Sequence, residues 1–171
     1  INDTGGVKVG GKSYKLKDVY YDDESTPSRA SQLTERLVKQ DGVDFMLGPY
    51  STTMTKAVAP VTEKYKVPMV EAEGASRSLF TQGYKYMFAV LSTSEYYLAP
   101  VLDLIAQRAK AGWKSPSDLR IGMAFENDGF SLDVRAGVLD VAKKYRMKIV
   151  IDDKLPADLS DMSATLTKFK A

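Results

Sequence analysis

Three stretches of the sequence place hydroxyls, carboxylates or an aromatic ring directly after a short apolar run. They are Gly48-Pro49-Tyr50-Ser51-Thr52-Thr53, Glu73-Gly74-Ala75-Ser76 and Glu126-Asn127-Asp128-Gly129-Phe130. In the first, the hydroxyls of Ser51, Thr52 and Thr53 stand where a helix should begin. A helix start offers unpaired backbone N–H groups and the positive end of the helix dipole, which suits an anion such as a carboxylate. The same residues also fit a plainer role, with Ser51 as N-cap and the two threonines in solvent. In the second stretch, Gly74 lets a ligand come close to the backbone and Ser76 adds a hydroxyl, although an ordinary turn would use the same residue types. Glu73 could meet a ligand ammonium or lie in water. In the third, Phe130 could cover an apolar or aromatic ligand, or staple its own helix.

Other chemistry is excluded by what is missing. The 171 residues contain no His and no Cys. A Ser-His-Asp triad, a thiolate nucleophile and a cysteine zinc site therefore cannot be built from this chain. Asp22-Asp23-Glu24 resembles a metal cluster but reads better as a solvated acidic loop, so no metal or cofactor is expected. Gly5-Gly6-Val7-Lys8-Val9-Gly10-Gly11 lacks the Lys-Ser/Thr ending of a phosphate loop and the spacing of a dinucleotide fingerprint. It reads as a loop and turn before a strand. With a net charge of +2 and no Lys/Arg block, nucleic acid is not an expected partner. No apolar run approaches the ~20 residues of a membrane span. The opening Ile1-Asn2-Asp3-Thr4-Gly5-Gly6 reads as a helix end with its Gly cap, which leads us to expect a further segment upstream.

The elements that would carry the three stretches follow one grammar: apolar run, glycine-containing loop, amphipathic helix. Phe45-Met46-Leu47 leads into a helix over Ser51 to Tyr65, striped by Met54, Ala57, Val58, Val61 and Tyr65 and bent at Pro60. Val67 to Val70 leads into a short helical turn near Ser78 to Thr81. Ile121 to Phe125 leads into a helix striped by Val134, Val138, Val141, Ala142 and Tyr145. Around them we expect a strand over Tyr14 to Tyr21, and a helix opened by Thr26-Pro27 and striped by Ala30, Leu33, Leu37 and Val38. A helix over Glu95 to Lys110, a strand over Lys148 to Asp152 and a last helix over Ser160 to Lys170 complete the set. Alternating strands and helices indicate an α/β class with parallel sheets flanked by helices. Phe88 to Ser94 reads as a crossover between two lobes, dividing the chain into residues 1–91 and 92–171.

Several of these segments together resemble the leucine/isoleucine/valine-type periplasmic binding proteins, the type I solute-binding fold. The resemblance rests on Gly5-Gly6-Val7, Val19 to Ala30, Gly48-Pro49-Tyr50-Ser51, Tyr65 to Val70 followed by Gly74-Ala75-Ser76, and Arg120-Ile121-Gly122 with Asn127 to Phe130. It implies a two-lobed Venus-flytrap architecture, of which this chain is an incomplete, middle stretch. It also implies a periplasmic, monomeric, non-enzymatic protein that passes its ligand to the membrane permease of an ABC importer. By the same resemblance, Tyr50, Ser51, Thr52, Thr53, Glu73, Gly74, Ala75 and Ser76 would hold the ligand's carboxylate, with Thr52 as hydroxyl donor, and Phe130 would close over it. Family members often carry a tyrosine at the position of Phe130 and a small residue at that of Glu73. The expected ligand is an amino acid or an aromatic or aliphatic acid; the Phe130 departure tilts it toward the acids, and the Glu73 departure argues against the standard α-amino-acid contacts. A sensor domain of the same fold is the alternative among binding functions, and an enzyme using Glu73 as base is the remote one.

Overall fold

The computed structural model describes residues 1–170, with all side chains among them except those of Lys110 and Trp113. The glycine-rich start is itself a hairpin: β1 (Val7–Val9) pairs antiparallel with β2 (Lys12–Tyr14). Its turn is Gly10-Gly11, whose φ angles of 56° and 79° are those a two-residue hairpin turn demands of both positions. The expected strand over Tyr14 to Tyr21 does not form, and residues 15–23 have no regular structure. Val19 and Tyr21 pack instead against the first core, so their apolar pattern reports burial rather than pairing. The acidic loop is indeed spent on its own backbone: Asp22 Oδ1 accepts the Glu24 N–H and Asp23 Oδ1 the Ser25 N–H, each at 2.8 Å.

α1 (Pro27–Lys39) starts at the Thr26-Pro27 pair, α2 (Thr52–Tyr65) follows β3 (Met46–Leu47), and β4 (Met69–Glu71) and β5 (Met87–Ala89) complete the first sheet. Its strands are parallel, in the order β3-β4-β5. Period-two geometry turns Met46 and Met69 inward and Leu47, Val70 and Phe88 outward. Ala30 and Leu37 of α1 and Met54, Val58 and Ala59 of α2 close over the inward side chains. α2 continues through Pro60, which stands on its exposed face. α1 and α2 are tied where Glu35 accepts the Tyr65 hydroxyl, with Lys39 and Lys64 ammonium groups 3.2 and 3.6 Å away.

The second sheet has its own core. α3 (Ala99–Arg108) begins four residues later than expected, because Pro100 fits only the first turn of a helix and Ser94–Tyr96 forms a separate 3-10 turn. β6 (Arg120–Glu126) is joined through α4 (Gly129–Tyr145) to β7 (Lys148–Leu155), and the two strands pair in parallel. Leu102, Ala106, Val138, Val141 and Met147 fill the space between helices and strands. α5 (Ser163–Lys170) lies on β7, with its Lys168 paired to Asp153 at 2.8 Å. The α/β class with parallel sheets flanked by helices is what the sequence led us to expect.

Candidate ligand-binding cleft

α2 begins at a cleft of about 590 Å³. Ser51 is its N-cap, accepting the Met54 N–H at 3.3 Å, and sits at φ 79°, ψ 151°. That is a region nearly confined to glycine, costing about 1–3 kcal/mol for other residues, and such strain concentrates at ligand clamps. The turn leaves Thr53 exposed and sends Thr52 inward, where it is 3% exposed. No acidic residue stands in the first turn of α2, so the positive end of its dipole is not neutralised from within the helix. Tyr50, Ser51, Thr52 and Thr53 together make one wall of the cleft.

The loop after β4 makes the second wall through Ala72 and the exposed Glu73. Gly74, Ala75 and Ser76 are buried behind them. The Ser76 N–H donates to Thr52 Oγ1 at 3.1 Å, which leaves the threonine's own proton free to be donated. The Ser76 hydroxyl is already engaged: it donates to Asp133 Oδ2 of α4 at 2.7 Å, and the Arg77 N–H donates to the same oxygen at 2.7 Å. The Ala75 carbonyl accepts the Ser94 N–H at 2.9 Å.

The third wall comes from the second sheet: Glu126 at the end of β6, then Asp128, Phe130 and Ser131. Asp128 caps α4, its Oδ1 accepting the Phe130 N–H at 2.7 Å and the Ser131 N–H at 3.2 Å. The positive end of α4 thus meets a carboxylate of the chain itself, whereas that of α2 meets only the neutral Ser51 hydroxyl. Phe130 meets Tyr97 edge-to-face at 5.5 Å, and its carbonyl accepts the Ser94 hydroxyl at 3.2 Å. Asn127, just past β6, donates its N–H to the Leu155 carbonyl at the end of β7.

Sequence reasoning gave no ligand role to Ala72, Tyr97, Glu126 or Ser131, and no role to Glu71. Tyr97 and Glu126 line the cleft. Glu71, fully buried between the first two walls, accepts the Glu73 and Gly74 N–H groups on Oε1 at 2.6 Å each, and its Oε2 lies 2.9 Å from Thr55 Oγ1. The alternation from inward Met69 through outward Val70 was the signal that could have found it.

The family model described as periplasmic binding protein matches residues 1–171. The chain belongs to the periplasmic binding protein family. Among curated members it is 25% identical over 171 residues to the Leu/Ile/Val-binding protein homolog 8 of Brucella abortus (strain 2308), covering 99% of this chain and 41% of that protein. It is 24% identical over 170 residues to the leucine-, isoleucine-, valine-, threonine- and alanine-binding protein of Pseudomonas aeruginosa, covering 99% and 42%. Among solved structures, the branched-chain amino acid transporter substrate-binding protein LivJ of Streptococcus pneumoniae, in complex with isoleucine, superposes with a TM-score of 0.81. Its sequence identity is 22%, and the match covers 99% of this chain and 45% of that one. An ABC transporter solute-binding protein from R. palustris, in complex with 4-hydroxybenzoate, gives a TM-score of 0.80 at 23% identity, covering 95% and 42%. The chain therefore spans about two fifths of the length of the curated family members it matches. The two-lobed α/β fold, incomplete in this chain, agrees with the expectation from sequence.

Proposed function

We propose that this chain is part of an extracytoplasmic solute-binding protein that captures a small carboxylate-bearing molecule and delivers it, as a monomer, to the permease of an ABC importer. Residues 1–91 would contribute to one lobe and residues 92–171 to the other, with the ligand between them. The observation that carries the reading is the start of α2, where Thr52 keeps a free hydroxyl proton beside a helix end open to the cleft. A carboxylate there would take the Thr52 hydroxyl and the first backbone amides of the helix. Tyr50, Ser51 and Thr53 complete that wall, and Phe130 with Tyr97 would cover the apolar part. Gly74, Ala75 and Ser76 support the site from behind. Glu73 and Glu126 line the same cleft, which favours a ligand with an ammonium group over a plain aromatic acid. The related proteins are binding proteins, and the catalytic alternative built on Glu73 is set aside on that ground.

Thermal unfolding of the full-length protein with L-isoleucine or 4-hydroxybenzoate tests the reading. A ligand at a hundredfold excess over its dissociation constant adds about 2.7 kcal/mol to the stability of the folded state. A rise in Tm with the amino acid, lost in Thr52→Ala, is expected. A shift that survives Thr52→Ala unchanged would move the carboxylate away from α2.

A further inference from the structure

Glu71 does not line the cleft, yet its side chain touches every segment that builds the first two walls. It is 0% exposed. Oε1 accepts the N–H groups of Glu73 and Gly74, fixing the loop after β4. Oε2 meets the Thr55 hydroxyl in the first turn of α2, and that hydroxyl also lies 2.8 Å from the Ser51 carbonyl, at the strained cap. Space for the carboxylate exists only because residue 48, at the end of β3, is glycine: a Cβ there would stand 1.9 Å from Oε2.

We propose that Glu71 is the positioning residue of the ligand site, one buried carboxylate that sets the loop after β4 and the start of α2 in register before any ligand arrives. The proposal rests on the reading of the cleft given above. Loops held in place beforehand need no ordering when a ligand binds, and that ordering otherwise weakens affinity. A carboxylate suits the task because it accepts two amides on one oxygen and a hydroxyl on the other. Glutamine can imitate the pattern: its carbonyl would accept the same two amides, and its NH2 would donate to Thr55 Oγ1.

The experiment compares Glu71→Ala and Glu71→Gln with the wild-type full-length protein by hydrogen exchange and by titration with L-isoleucine. Without ligand, Glu71→Ala should speed exchange of the Glu73 and Gly74 amides about tenfold or more, with Met69 in β4 unchanged. Glu71→Gln should restore most of that protection. In titration, Glu71→Ala should weaken binding by roughly tenfold and Glu71→Gln by less than about threefold, at a temperature where all three are folded. Unchanged exchange at Glu73 and Gly74 in Glu71→Ala would overturn the proposal, as would equal affinity of wild type and Glu71→Ala. Loss of protection at Met69 together with the loop would also overturn it, by showing a general support of the fold. If the wild type does not bind L-isoleucine, the choice of ligand fails, and the exchange result still decides the role of Glu71.

Discussion

Gly137, in the middle of α4, offers a sharp test because two effects oppose each other there. Alanine in place of a mid-helix glycine normally stabilises by about 1 kcal/mol. Here the new Cβ would lie 1.8 Å from the Glu95 carbonyl oxygen, 2.7 Å from its carbon and 3.1 Å from its Cα. All three are backbone atoms, so no side chain can swing away. Carbon–oxygen contact would require α4 and the 94–96 turn to part by roughly 1.5 Å. That movement strains the Ser94 bonds to Ala75 and Phe130. Overpacking of this kind costs about 1–3 kcal/mol, and a clash with backbone belongs at the upper end. The net expectation for Gly137→Ala is a destabilisation of about 1–2 kcal/mol, read as a lower Tm. Circular dichroism at rising temperature and a urea titration would both record it, with the exposed Asp140→Ala on the same helix as control. A Gly137→Ala protein as stable as wild type, or more so, would refute the close approach of α4 to the turn.

Two further outcomes follow from the hydrogen bonds. The Tyr65 hydroxyl and, after it, the Lys39 and Lys64 ammonium groups hold the Glu35 carboxyl down at about 2, from an ordinary 4.5. A group depressed on folding stabilises above its unfolded value, so the Tm gap between wild type and Glu35→Gln should be constant above about pH 4.5 and shrink as pH falls toward 2; a gap independent of pH in that window would remove Glu35 as its source. Asp133→Ala would remove the acceptor that ties the Ser76 hydroxyl and the exposed Arg77 N–H to α4, leaving the Ser76 hydroxyl only Ser78 Oγ at 2.9 Å, for a loss of about 1–2 kcal/mol. Small-angle scattering of that variant without ligand should show a larger radius of gyration; unchanged scattering would mean the bond does not hold the two sheets together.

How much of this was legible in the sequence depends on whether the signal was local. Ser51 as N-cap and the Thr26-Pro27 start of α1 rest on contacts within a few residues, and they stand where expected. The strand assigned to Tyr14 to Tyr21 failed because pairing needs a neighbour, and among the described residues no strand lies beside 15–23. The stripe on α2 was placed slightly off: Thr55, Ala59 and Thr62 are more deeply buried than Ala57 and Val61, because threonines that bond carbonyls within their own helix can face a core. Glu71 and Glu73 look alike in the sequence, two glutamates around an alanine. Only the burial of one and the exposure of the other separates a structural carboxylate from a candidate ligand group.

The strand order carries a consequence for assembly. β3 pairs with β4, β4 with β5 and β6 with β7, so every parallel pairing among the described residues closes across a single crossover. The bonds from Asp133 span 57 residues to Ser76 and 56 to Arg77. Longer loops cost more entropy to close and form later in folding. The two sheets should therefore condense independently, each from its own stretch of chain, and meet only afterwards. The cleft becomes the last feature of the molecule to exist and the first to be lost.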